Sequence, residues 1–225
     1  MVNESSVSIP PSNLAGDLAV CDTTSGVILF AHGSGSSRHS VRNRRVAHVL
    51  QQAGFSTLLL DLLTPAEEEI DFRTAEFRFD IPLLASRLVA AIDWLARQDS
   101  TKDLPIGLFG ASTGAAAALL AASQCPDRIA AVVSRGGRPD LAGDPLALVK
   151  APTLFVVGGE DHTVIALNHE ALHRLQCRKM LSIVPGATHL FEEPGTLEEV
   201  AMMARQWFVT YLQTSGVDTA LQPGG

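Results

Sequence analysis

The chain has 225 residues, 46% of them hydrophobic, and a formal net charge of −7; the length suits one sizeable core, and the negative balance speaks against nucleic acid or an anionic membrane as partner. No apolar run approaches the ~20 residues of a membrane span, and Met1 to Ser6 shows neither the basic nor the apolar region of a signal peptide. Cys21, Cys125 and Cys177 are too scattered for a metal cluster and too few for a disulfide framework; they read as small hydrophobes in a reducing compartment, so the expected location is the cytoplasm.

Taken in order, residues 7–9, 14–20 and 27–31 are predicted strands, separated by Pro10-Pro11-Ser12-Asn13 and Asp22-Thr23-Thr24-Ser25-Gly26. The third, V-I-L-F-A, is continuously apolar, as in a strand buried on both faces, and opens into His32-Gly33-Ser34-Gly35. A helix is expected over 41–53, stopped by Gly54, and a buried strand over 56–60. Residues 65–79 mix charge and aromatics and read as a solvated connection; their functional alternative is a rim of the active-site mouth. Apolar positions 81, 84, 85, 88, 92 and 95 mark one face of a helix, with Asp80 as N-cap. Further strands are expected at 129–134, 153–157 and 180–184, with helices near 168–175 and from Pro194 to about 212. Alternating buried strands and helices predict an α/β fold, a mostly parallel sheet covered on both faces, as a single domain over 1–212 with a flexible tail over 213–225.

The most informative stretch is residues 105–123. Ile106 to Phe109 reads as a strand, Gly110-Ala111-Ser112-Thr113-Gly114 gives G-x-S-x-G, and an Ala/Leu run follows as helix. A strand turning sharply into a helix leaves room only for small neighbours, which Gly110, Ala111 and Gly114 supply. Ser112 would then stand above the sheet at a helix N-terminus, placed as a nucleophile.

Residues after parallel strands gather on one edge of the sheet, so His32, Asp61, Ser112, Arg135 and Asp161 can share a site. A serine nucleophile needs an imidazole base, and that base needs a carboxylate to fix its tautomer. Downstream of Ser112, Asp161 follows a strand and His189 sits in a late loop; Glu160 is the rival acid. His48, His169 and His173 fall on predicted helices, His39 precedes the serine, and His162 follows the acid too closely. The amides of Ser34 and Thr113 are the expected oxyanion donors. His32, Gly33, Gly35, Arg38 and Arg135 are candidate substrate contacts, the arginines for an anionic group. The scheme calls for no cofactor and no metal.

A-H-G-S-G-S-S-R, G-L-F-G-A-S-T-G, V-V-G-G-E-D and V-P-G-A-T-H-L-F occur in the order of the α/β-hydrolase superfamily, and the chain resembles its dienelactone-hydrolase-like esterases over nearly its whole length. The resemblance implies nucleophile Ser112, acid Asp161 and base His189. Dienelactone hydrolases proper carry cysteine at the elbow, so fold and triad carry over here and the dienelactone substrate does not. The expectation is a serine esterase acting on a small-molecule ester, with short acyl chains preferred because 135–152 leaves no room for a multi-helix lid. Acyl transfer or thioester hydrolysis on the same triad, and a non-catalytic ligand-binding protein on this fold, are the alternatives.

Overall fold

Strands that are apolar on both faces need cover on both sides, and the chain provides it by alternating them with helices. The computed structural model describes residues 1–213; the expected tail, apart from residue 213, lies outside the described residues. The strands are β1 (Val2–Ile9), β2 (Leu14–Cys21), β3 (Val27–Ala31), β4 (Ser56–Leu60), β5 (Ile106–Ala111), β6 (Ile129–Arg135), β7 (Thr153–Gly158) and β8 (Lys179–Val184). They form one eight-stranded sheet in the order β1-β2-β4-β3-β5-β6-β7-β8. β1 and β2 run antiparallel as a hairpin, β2 meets β4 antiparallel, and β3 through β8 are mutually parallel.

The helices are α1 (Val41–Gln52), α2 (Pro65–Thr74), α3 (Ile81–Leu95), α4 (Thr113–Gln124), α5 (His162–Arg174) and α6 (Thr196–Leu212). Successive strand residues point to opposite faces. Leu29, Leu108, Val132 and Phe155 therefore pack with α3, α4 and α5, while Phe30, Phe109, Val133 and Val156 pack with α1 and α6. Between β6 and β7 there are only two short 3₁₀ turns, Pro139–Ala142 and Asp144–Leu148, and no large cap.

Two expectations are corrected. The solvated connection over 65–79 is mostly a helix, α2, whose start carries a full capping box. Thr64 accepts the Glu67 N–H, the Glu67 carboxylate accepts the Thr64 N–H, and Pro65 occupies the first turn. The helix expected from 168 starts six residues earlier, at His162, because Asp161 is its N-cap residue.

Candidate active site

The register of β5 between β3 and β6 places Ser112 at the strand ends, on the edge where parallel-sheet sites form. Its backbone is at φ 50° and ψ −122°, a conformation that side-chain-bearing residues adopt at a cost of order 1–3 kcal/mol. The turn closes only because its neighbours are bare. A Cβ on Gly110 would stand 2.4 Å from Ala115 Cα, and one on Gly114 would stand 2.3 Å from the Ala31 carbonyl oxygen. The Ser112 N–H donates to the Arg135 carbonyl at 3.3 Å and the Ser112 carbonyl accepts from Arg138 N–H at 3.1 Å, so the turn after β6 clasps the serine on both sides. The Ser112 hydroxyl is not used to cap α4.

His189 and Asp161 come together across 28 residues of chain: His189 Nδ1 lies 2.6 Å from Asp161 Oδ2. Asp161 caps α5 in position only, without a side-chain hydrogen bond to that helix, so its carboxylate is free for the imidazole. A carboxylate at Nδ1 makes Nδ1 the protonated nitrogen and leaves Nε2 as the acceptor. His189 also borders the turn that holds Ser112: a Cβ on Gly136 would stand 3.7 Å from His189 Cε1. The Asp161 side chain is 15% exposed and that of His189 38% exposed, which leaves the imidazole reachable from solvent.

The loop after β3 meets the elbow on the other side. Ser34 N–H, expected to face an oxyanion, donates to Thr113 Oγ1 at 3.1 Å, and the two hydroxyls lie 3.0 Å apart. The Thr113 N–H, in the first turn of α4, has no carbonyl one turn back to bind. His32 is buried and both its nitrogens are committed to the main chain. Nδ1 contacts the Gly33 carbonyl at 2.9 Å, and Nε2 accepts the Leu62 N–H at 3.1 Å. Burial pushes its pKa below the ordinary histidine value, against the Gly33 carbonyl and Asp61, which favour the charged form. His32 thus ties the β3 loop to the residues after β4.

The two arginines expected at the substrate are placed differently. Arg38 pairs with Asp61 through its guanidinium, donates its N–H to the same carboxylate at 2.6 Å, and approaches Asp17 at 3.5 Å. Arg44 reaches Asp17 at 2.6 Å, which completes a charge cluster under the loop. Arg135 is buried and, among the described residues, meets no carboxylate; its one side-chain partner there is Asn43 Oδ1 at 3.4 Å. Burial, and then the Arg42 charge, push its pKa down to about 10. Neither arginine lines the cavity bordered by Gly33 and Thr113: the guanidinium of Arg38 goes to Asp61 and Asp17, and that of Arg135 to Asn43. Sequence patterns had no means of finding these commitments, since Asp17, Asn43 and Asp61 are distant in the chain.

That cavity, of about 490 Å³, is walled on one side by His32, Gly33, Ser34, Gly35 and Thr113, and on the other by Leu62, Leu63, Leu84 and α2. Asp71 and Phe72 of α2 line it, so the 65–79 stretch contributes to the wall of this cavity. Asp71 is buried and accepts the N–H groups of Phe77 and Arg78 and the Arg78 Nε, each at 2.8 Å. Burial alone would raise its pKa; these hydrogen bonds and the Arg78 charge outweigh that and hold it below the ordinary value.

Comparison with known proteins places the family and the fold. The profile of the dienelactone hydrolase family matches residues 15–214. A crystal structure of a dienelactone hydrolase from Anabaena variabilis is 58% identical, with a TM-score of 0.90, covering 94% of this chain and 98% of that one. Est1E from Butyrivibrio proteoclasticus shares the fold at 16% identity, with a TM-score of 0.73 over 93% of this chain and 99% of its own. Two Mycobacterium tuberculosis sequences, provisionally named phosphoribosyl transferases, are 58% identical over 202 residues, 90% of this chain. The chain spans 45% of the length of those relatives.

Proposed function

The chain belongs to the dienelactone hydrolase family of α/β-hydrolases, and from that premise we propose that it is a serine hydrolase cleaving carboxylic esters through an acyl-enzyme on Ser112. The observation that carries the reading is the 2.6 Å contact of His189 Nδ1 with Asp161, in a chain whose G-x-S-x-G serine is held at φ 50°. Ser112 Oγ attacks the ester carbonyl carbon while His189 Nε2 takes its proton; the C=O pair moves to oxygen. The tetrahedral species collapses, the C–O bond to the alcohol breaks, and His189 returns the proton to the leaving alkoxide. Water attacks the acyl-enzyme by the same route in reverse, with His189 as base, and releases the acid. The Thr113 amide is the first oxyanion donor, aided by the N-terminus of α4. The Ser34 amide becomes the second when the substrate oxygen takes over the place of Thr113 Oγ1; one such donor is worth about 10²–10³ in turnover.

Short acyl groups suit the site. A methylene gains ~0.8 kcal/mol only while it finds apolar wall, and the β6–β7 connection, with two short 3₁₀ turns, supplies no lid to enclose a long chain. We expect kcat/KM to peak at acetyl to butyryl esters and to fall beyond roughly eight carbons. Phosphoribosyl transfer, the name given to the mycobacterial relatives, we assign to the part of those proteins that this chain does not match. The support is that this chain, which matches 45% of the length of those relatives, covers 98% of the Anabaena hydrolase chain.

The test is a serine-directed fluorophosphonate followed by peptide mapping, with 4-nitrophenyl acetate hydrolysis as readout. Labelling at Ser112 with loss of hydrolysis is expected. A folded Ser112→Ala protein that still turns over at the original rate would end this mechanism.

A further inference from the structure

Charge is distributed unevenly around the cavity that Gly33 and Thr113 border; Ser112 is not itself among its lining residues, but a Cβ on Gly33 would stand 3.6 Å from Ser112 Oγ. The guanidinium that lines it, on Arg78, is already matched: its Nε meets the Asp71 carboxylate at 2.8 Å and its Nη2 the Asp71 carbonyl at 2.7 Å. Arg38, behind the wall, is matched by Asp61 and Asp17. Arg135, which meets no carboxylate among the described residues, is not one of the lining residues. Against these stands Glu68, a solvent-exposed residue of α2 that lines the cavity and makes no ion pair among the described residues, although the Arg38 charge reaches it. Its pKa lies above the ordinary glutamate value, through burial first and then the nearby charges of Asp61 and Asp71, with Arg38 opposing. Two carboxylates against one guanidinium leave the lining with a surplus negative charge.

The remaining polar lining is hydroxyl apart from two imidazoles, that of His32, whose nitrogens are committed to the main chain, and that of His39. Ser34, Ser36, Ser37, Ser40 and Thr113 all face the same space. Ser37 Oγ accepts the His39 N–H at 3.2 Å and Ser40 Oγ the Asn43 N–H at 3.3 Å. A hydroxyl whose lone pair is taken in this way keeps its O–H to donate. A wall of that kind satisfies an alcohol, which both donates and accepts, and offers a carboxylate no charge to compensate its desolvation.

Resting on the esterase reading, we propose that this cavity binds the alcohol portion of the ester, selecting an uncharged, hydroxyl-bearing alcohol such as a glyceryl or sugar-like group and rejecting carboxylate-bearing alcohols, with Glu68 as the residue that sets the charge preference. The surplus charge raises the free energy of an anionic alcohol, while the serines replace the water that a neutral polyol leaves behind.

The experiment holds the acyl group constant and varies the alcohol: ethyl butyrate, glyceryl monobutyrate and carboxymethyl butyrate, followed by pH-stat titration at low ionic strength. We expect kcat/KM to be at least fivefold higher for the glyceryl ester than for the ethyl ester, and at least tenfold higher than for the carboxymethyl ester. Glu68→Gln should raise the carboxymethyl-to-ethyl ratio at least threefold, Glu68→Lys should raise it further, and added salt should shrink these differences. Ser36→Ala should lower the glyceryl-to-ethyl ratio without altering the carboxymethyl-to-ethyl ratio. A wild-type protein that prefers the carboxymethyl ester, or a Glu68→Lys ratio equal to the wild-type one, overturns the proposal while leaving the esterase reading standing. Absence of turnover on all three esters, together with no fluorophosphonate label on Ser112, removes the esterase reading itself and the proposal with it.

Discussion

On the elbow side of the cavity, β5 is buried from Ile106 to Ala111 and α4 is buried along nearly all of its length. On the opposite side α2 buries a single residue, Asp71, and exposes Phe72 almost fully. The elbow is held by apolar packing at van der Waals contact. The α2 wall is held by polar clasps: the Thr64–Glu67 box, Arg87 on Glu67 at 2.7 Å, and the hydrogen bonds to Asp71. Packing holds reacting groups to fractions of an ångström, which bond-making demands. Polar clasps on an exposed helix are worth less each and can be exchanged singly, which suits recognition of a variable substrate.

The contrast can be broken hardest on the rigid side. Asp161→Asn should lose about 10⁴ in kcat, as when a triad carboxylate becomes its amide, with the unfolding midpoint held; Glu160→Gln should stay near wild type. If Glu160→Gln is the crippled variant, the acid has been placed one residue out. Next in size is Gly114→Ala. Its Cβ would meet backbone, the Ala31 carbonyl oxygen, at 2.3 Å, and backbone cannot rotate away. We expect a loss of about 2–3 kcal/mol in chemical denaturation, with activity lost as the elbow shifts. An unchanged denaturation midpoint would mean that the elbow is looser than its contacts imply.

Asp71→Ala sharpens the comparison from the soft side. It strands the N–H groups of Phe77 and Arg78, at about 1–3 kcal/mol locally. Hydrogen exchange should quicken over residues 65–79 while β5 and α4 stay protected, and KM should rise more than kcat falls. Equal loss of protection in both regions would show that the two walls are one cooperative unit.

The smallest effect is one of pH and returns to the elbow side. The folded pKa of His32 lies below its unfolded value of ~6.5, so the unfolded chain takes up the proton first as pH falls. The contribution of His32 is therefore complete above about pH 6.5 and declines below it, with a slope of at most about 1.4 kcal/mol per pH unit. Urea unfolding from pH 8 to pH 5 measures it. A free energy that holds steady across that interval would show that His32 charges in place without penalty.

How far the sequence could be read follows the same division. β3 and β4 fall at the predicted residues, and β5 to β7 begin where expected, because runs such as V-I-L-F-A and the G-x-S-x-G turn are local signals. The pairing of His189 with Asp161 could be anticipated because strand ends converge. The helix α2 was written in T-P-A-E, a capping box with proline, yet the run of glutamates after it concealed the signal. The start of α5 was concealed for another reason: Asp161 is an N-cap residue whose side chain serves His189, so the usual capping bond is missing. The partners of Arg38, Arg135 and the Ser34 amide depend on contacts 21 to 92 residues apart, and no local pattern encodes them.

The helix behind the nucleophile begins T-G-A-A-A-A-L-L-A-A, and Gly114, Ala115, Ala116, Ala117 and Ala118 are all buried. A helix enclosed by the sheet, α3 and the turn at Pro139–Ala142 can come this close only if its side chains stop at a methyl group. None of these positions can grow without pushing the serine out of line, and none of the alanines can shrink without opening a void. Heritable change in substrate preference has to be recorded elsewhere. Selection of this protein on a new ester should leave its substitutions in residues 36–40 and 65–79, and leave residues 110–122 as they are.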